Sequence, residues 1–243
     1  MKIVATIEAR MTSTRLPGKV LADAHGMPML ERMVARLRKV ARIDEIVVAT
    51  TANAADDPIV ALCRRLSVGF WRGSEDDVLQ RVLDAAKAHR ADVIVELTGD
   101  CPVIDPAIVA RTLDEYLARK PDYCSNVLTR TWPIGMDTQV FATDVLADVA
   151  RRTADPNDHE HVSLFIYRNP QIYSLVGIQA PPAETRPDLR LTLDTPEDLQ
   201  VLRALFGALG ADGRVFDLRE MLACLDAHPE IAAINAAVRH RHV

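Results

Sequence analysis

Three cations crowd one short stretch, Arg10, Arg15 and Lys19, within ATIEARMTSTRLPGKVL (5–21). Ser13 and Thr14 add hydroxyl donors, and Gly18 permits a backbone that turns amides toward a ligand. Arginine offers planar, multidentate donors and lysine a compact point charge, so the set suits a phosphate. It is not a Walker A loop, because Val20 rather than Ser or Thr follows Lys19. A solvated basic loop joining a strand to a helix would have the same composition. The acidic counterpart is Asp100, which ends an apolar run in TGDCP between Gly99 and Pro102. A carboxylate there suits Mg²⁺, which bridges phosphates and takes few carboxylates plus waters, although a turn-forming Asp bonding its own backbone is the plainer alternative.

Other polar clusters have structural readings of their own. Glu75, Asp76 and Asp77 open a helical pattern, where acids complement the helix dipole. Thr195 and Pro196 are a helix start, and Asp194 could share that capping. His159 and His161 in HEH fall on different helix faces, unlike the i, i+4 pair of zinc proteases. Arg130 could meet an acidic ligand or be a surface charge.

These residues must be held by alternating strands and helices. KIVATI (2–7), EIVVAT (45–50), VGFW (68–71) and ADVIVELTGD (91–100) read as strands. Between them 29–41, 56–66 and 74–90 carry helical spacing, with Ser74 as the expected N-cap, and 105–118 follows with Pro at its start. Repeated βα units imply a mostly parallel sheet covered by helices, an α/β fold. Ligands bind beyond the carboxyl ends of such strands, where both the basic loop and TGDCP lie.

Beyond residue 120 the pattern loosens. DYCSN, GMDTQVFA and QIYSLVGIQA read as strands, TDVLADVARRT and DHEHVSLFIYRNP as helices. LRLTLDTPEDLQVLRALFGAL is a strand entering a capped helix, and the tail from Phe216 is helical. No repeat or linker interrupts the chain, so one domain over 1–243 is expected.

A net charge of −5 argues against a basic nucleic-acid surface, and any anion site must be local. Cys63, Cys101, Cys124 and Cys224 lie far apart without a CxxC pair, which fits reduced thiols in a cytoplasmic protein. Neither a signal peptide nor a membrane span is expected.

In combination and in this order, IEARMTSTRLPGKVL, GMPMLERMVARL, WRGSEDDVLQRV, ELTGDCPVID, PIGMDTQVF, EHVSLFIYRNP and LTLDTPEDL resemble the sugar cytidylyltransferases, and within them the spore coat polysaccharide biosynthesis protein F branch. The likeness covers nearly all of 1–205. It implies a doubly wound, three-layer αβα fold of the glycosyltransferase-A type, with a nucleotide-binding half (1–120), an acceptor-sugar and dimerisation half (121–205) and a helical tail (206–243). It implies a cytidylyltransferase that joins CTP to a sugar with Mg²⁺, as a homodimer. Carried over residue by residue, Arg10 and Lys19 meet the phosphates with Arg15 as helper, beside Ala9, Met11, Gly73, Ser74 and Arg81. Asp100 and Asp194 take the metal, and Asp137, Glu160 and His161 the acceptor. Glu8 departs from the family pattern, which has an amide or Pro there. A glycosyltransferase using a preformed nucleotide sugar, or a non-catalytic nucleotide-binding protein, are the alternatives.

Overall fold

The computed structural model describes residues 1–239. β1 (Ile3–Glu8) runs through a loop and a 3₁₀ turn at Lys19–Leu21 into β2 (Asp23–Ala24) and β3 (Met27–Pro28), a small ribbon, and then α1 (Met29–Leu37). β4 (Glu45–Thr51), α2 (Asp57–Leu66), β5 (Gly69–Gly73), α3 (Val78–Ala88), β6 (Val93–Thr98) and α4 (Pro106–Arg119) continue the alternation. β7 (Tyr123–Ser125) and β8 (Gln139–Ala142) precede α5 (Thr143–Arg152), α6 (Pro156–Glu160), α7 (Leu164–Arg168) and β9 (Leu175–Gly177). α8 (Pro196–Leu209), α9 (Leu218–Ala227) and α10 (Pro229–Ala233) close the described chain.

The main sheet has seven strands in the order β5-β4-β1-β6-β8-β7-β9. β5, β4, β1 and β6 are parallel, and β8 is antiparallel to both its neighbours. β1 is an interior strand, with Ala5 opposite Ile46 on one side and Val95 on the other. Strand alternation then sorts its side chains between two cores. Ile3, Ala5 and Ile7 join one with α1, α4, α8 and α9, while Val4 joins the other with α3 and α5. This is the expected three-layer, mostly parallel arrangement. α1 buries Met29, Leu30, Met33, Val34 and Leu37, spaced for one helix face, each worth roughly 1.5–3 kcal/mol.

Several elements differ from the sequence reading. The helix expected from Ser74 starts at Val78, capped by Asp77, whose carboxylate accepts from Gln80 N at 2.9 Å. Ser74 Oγ instead accepts from Asp77 N. The single helix expected over 158–170 is two short ones, broken at His161–Ser163, where Leu164 N donates to His161 O at 2.7 Å. The strand expected before Asp194 is absent, although Leu191 and Leu193 are buried. Its amides are used by loops: Leu191 N donates to Ile134 O and Leu193 N to Asp100 O, each at 2.8 Å. β8 begins later than expected because Asn126 takes the preceding backbone, accepting from Thr138 N and donating to Met136 O. Of the expected helical tail, 240–243 lie outside the described residues.

Candidate active site

The basic loop leaves β1 at the carboxyl edge of the parallel strands. Buried Asp56 fixes its start, accepting from Met11 N at 2.7 Å and from Thr51 N at the end of β4. Gly18 N donates to Met11 O at 2.8 Å, closing the loop on itself. Gly18 has φ 73°, in the left-handed region that favours glycine. The 3₁₀ turn that follows points Lys19 inward, 13% exposed at its side chain.

Two carboxylates meet it. Asp100 follows β6, with one oxygen accepting from Thr98 Oγ1 at 2.6 Å and the other 3.3 Å from Lys19 Nζ. Gly99 makes this approach possible, because a Cβ there would sit 2.7 Å from Glu8 O, the carbonyl to which Gly99 N donates. Asp194 precedes α8, and its Oδ1 lies 2.8 Å from Lys19 Nζ and 2.9 Å from Arg15 Nη2. Helix capping is done by its neighbours: Thr195 Oγ1 accepts from Asp198 N, and Asp198 accepts from Thr195 N. Asp194 is thereby left for the cations. Its other oxygen accepts from Arg190, 2.8 Å away, and Arg190 also grips Asp198 at 2.8 and 3.0 Å. Asp100 O accepts from both Leu193 N and Thr192 Oγ1, which holds the two carboxylates side by side.

Electrostatics follows from burial and pairing. Burial pulls the Lys19 ammonium toward the neutral form, but Asp100 and Asp194 outweigh it and raise its pKa above the usual lysine value. Burial likewise pushes Asp194 up, and Lys19 and Arg15 more than reverse this. Both groups are charged at neutral pH.

A cleft of about 860 Å³ opens above them, lined by Arg10, Ser13, Arg15 and Lys19 on one side and Glu160, His161 and Arg168 on the other. Of the residues assigned to nucleotide or metal from sequence, Ala9, Arg10, Arg15, Lys19, Arg81, Asp100 and Asp194 line it. Met11, Gly73 and Ser74 do not stand among its walls; Met11 serves the loop closure and Gly73 packs on Arg81. Arg81 is buried rather than a solvated helix residue, 3% exposed, and donates to Ser74 O and Glu75 O. Arg10 Nη1 is 3.5 Å from Glu75, which also accepts from Thr12 and Asn53. Glu160 and His161 sit at the break after α6, where both reach the wall, and Asp137 lies in an adjoining pocket. His159 turns away, with Nδ1 2.8 Å from Asp77.

Asp56, Arg190 and Asp198 are structural residues that sequence reading missed, and Glu75, read there only as a helix-start acid, ties Arg10, Thr12 and Asn53 together. Asp56 and Asp198 carried only helix-start signals, and a buried Arg190 carried none. Among the described residues no three His, Cys, Asp or Glu side chains gather as a metal centre. Asp100 and Asp194, which converge on one cationic atom, fit a Mg²⁺ that takes one or two carboxylates and completes its shell with substrate phosphates and water.

A parallel sheet with a cationic strand-end loop facing two carboxylates defines a nucleotidyltransferase-type α/β protein. Residues 4–224 match the cytidylyltransferase family, and the chain belongs to it. It is 34% identical to the spore coat polysaccharide biosynthesis protein SpsF of Bacillus subtilis, over 97% of this chain and 98% of that one. It is 27% identical to the 3-deoxy-manno-octulosonate cytidylyltransferase of Geobacter metallireducens, over 87% and 93%. A solved cytidylyltransferase from Leptospira borgpetersenii superimposes with a TM-score of 0.91 at 30% identity, each chain fully covered.

Proposed function

We propose that this cytidylyltransferase joins CTP to a sugar, giving a CMP-sugar and pyrophosphate for a surface polysaccharide or glycan. The observation that carries the reading is the meeting of Arg15, Lys19, Asp100 and Asp194 on one wall of the large cleft. A protein that only bound a nucleotide needs no such arrangement of two carboxylates against cations. The family match favours nucleotidyl transfer over use of a preformed nucleotide sugar.

In this reading the triphosphate lies along the loop, with Arg10 and Lys19 on its phosphates and Arg15 and the loop hydroxyls setting its position. A sugar hydroxyl, giving up its proton to solvent, attacks the α-phosphorus in line, the bond from that phosphorus to the oxygen it shares with the β-phosphate breaks, and pyrophosphate leaves. Lys19 and Arg10 stabilise the negative charge that grows on the phosphoryl oxygens and the leaving group. Lys19 is held for this by two carboxylates that keep it protonated. Asp100 and Asp194 would hold Mg²⁺, which when bound neutralises the triphosphate. Arg190 keeps Asp194 from turning away from the cleft. Glu160 and His161, on the wall shared with the adjoining pocket, meet the acceptor.

The reading extends to a homodimer working in the cytoplasm, which suits four unbonded cysteines. Purified protein with Mg²⁺, each NTP in turn and a panel of sugars, with pyrophosphate detection, tests it. Release that requires both CTP and a sugar is expected. Nucleoside phosphate released from a preformed nucleotide sugar, without NTP consumption, would refute it.

A further inference from the structure

The HEH stretch leaves one histidine unused. Asn157, Glu160 and His161 line the large cleft, spaced to share one face of the α6 turn. His159 falls on another face and meets the start of α3, the helix that supplies Val78 and Arg81 to the same cleft. His159 and Asp77 are 82 positions apart in the chain, and their contact joins the two walls.

Both ring nitrogens of His159 face acceptors. Nδ1 lies 2.8 Å from Asp77 Oδ1, and Nε2 lies 3.1 Å from Thr153 O. A carbonyl oxygen has no proton to give, and Asp77 Oδ1 already accepts from Gln80 N as the cap of α3. Two hydrogen bonds therefore require two N–H groups, which only the imidazolium has. The hydrogen bond to Asp77 outweighs the opposing effect of burial and, with that to Thr153 O, raises the ring's pKa above the ordinary histidine value.

Acids dominate the charges around the ring. Asp77 faces it from the start of α3 with Asp76 one residue before, while Arg81 on that helix is turned to Ser74 O and Glu75 O. Its own segment adds Asp158, the capping Asp155 and Glu160. Arg151 and Arg152, at the end of α5 beside Thr153, are paired with Asp148, and Arg168 on α7 lines the cleft.

We propose that His159, protonated and bound to Asp77, is a positioning residue that holds the α6 wall of the cleft against the α3 wall and so ties nucleotide affinity to pH. The proposal rests on CTP occupying the large cleft, as read above. A protein whose competent arrangement is only partly populated binds more weakly by that fraction. Because the ring's pKa is raised in the fold, the tie is complete below the unfolded histidine value of about 6.5 and is lost as pH rises through the folded one.

Two measurements on the full chain test it. The first needs no ligand: the His159 ring protons, followed by NMR across pH, should titrate above about 6.5, and Asp77→Asn should bring that midpoint down. The second is CTP affinity by calorimetry, with Mg²⁺, for native protein and His159→Asn. The asparagine amide keeps one neutral donor for Asp77 but neither the charge nor a second N–H. It should bind CTP about fivefold more weakly than native protein at about pH 6, the size of one partly exposed ion pair. At about pH 9, where the native ring is also neutral with a single N–H, the two should bind about equally. Titration of CTP itself cancels in that ratio, and His159→Gln replaces the asparagine variant if that one does not fold. A ring that titrates at or below about 6.5, or a ratio that is the same at both pH values, as a merely structural histidine would give, overturns the proposal. No CTP binding by native protein at either pH overturns the nucleotide reading and the affinity claim with it, and the ring titration tells that failure from a failure of the tie.

Discussion

Lys19 Nζ and Asp194 Oδ1 lie 2.8 Å apart although 175 positions separate them in the chain. The contact joins the first strand-end loop to the entry of α8 and defines the wall of the cleft.

Loss of Lys19 should therefore act on turnover before stability. Lys19→Ala or Asp100→Ala is expected to lower kcat at least about 100-fold, the size of losing one preorganised electrostatic group. Steady-state pyrophosphate release by folded variants measures this, and near-normal kcat in either would remove the assignment. With Asp100→Asn, the Mg²⁺ concentration for half-maximal rate should rise, because one of two proposed oxygen donors is weakened.

The pair also shapes stability against pH. Asp194 has its pKa depressed in the fold, so its contribution is present above the unfolded value of about 3.9 and is lost as pH falls through the folded one. Lys19 has its pKa raised, so its contribution is present below the unfolded value of about 10.4 and is lost as pH climbs through the folded one. Thermal unfolding across pH should show a loss of stability at each of these two limbs. Asp194→Asn should flatten the acid limb; an unchanged limb would place the acid sensitivity elsewhere.

Glu96 has the opposite sign. Burial, then the neighbouring Glu8 carboxylate, raises its pKa well above the usual glutamate value, and it donates its proton to Glu8. The unfolded chain releases that proton above about pH 4.3 while the fold retains it, so stability falls as pH rises. Glu96→Gln keeps the shape, accepts from Gln139 and donates to Glu8, and should gain roughly 1 kcal/mol at pH 8 with little change at pH 4. Equal effects of the substitution at both pH values in denaturant titrations would contradict the protonated state.

Asp198 is wholly buried and satisfies Arg190, Thr195 N, Asp194 N and Asn235 at once. Asp198→Ala leaves a buried guanidinium short of a partner and should cost about 3 kcal/mol or more. Thr195→Ala removes only the cap and should cost about 1 kcal/mol. If the two prove equal by chemical denaturation, the Arg190 network contributes less than its geometry implies.

The alternating half was readable because each strand there is a short, mostly apolar run and each helix has clean spacing, as in β1, β4 and β6 with α2 and α4. Past residue 120 the same signals misled. Leu191 and Leu193 look like strand residues, but they are buried under loops, and burial rather than pairing explains their apolar character. The break at His161–Ser163 lies inside a helical pattern and arises from tertiary contacts, including Ser163 Oγ donating to Gln139. At the site, cations and carboxylates of the right type announced themselves, and Arg10, Arg15, Lys19, Asp100 and Asp194 do line one cleft. Their supports did not, because a residue such as Asp56 or Arg190 is defined by partners distant in sequence or by the burial of its loop. Arg130 and Asp137 were each visible, yet that they neutralise one another was not.

The two hydrogen bonds that Asp100 O accepts, from Leu193 N and Thr192 Oγ1, carry a further consequence for how the molecule comes into being. During synthesis the strand-end loop emerges early, but the segment that completes its charge balance emerges only after the seven strands are made. A nascent chain halted before residue 190 has the cations and Asp100 without the second carboxylate. The wall of the cleft is thus complete only once the segment leading into α8 has been made and has docked on Asp100.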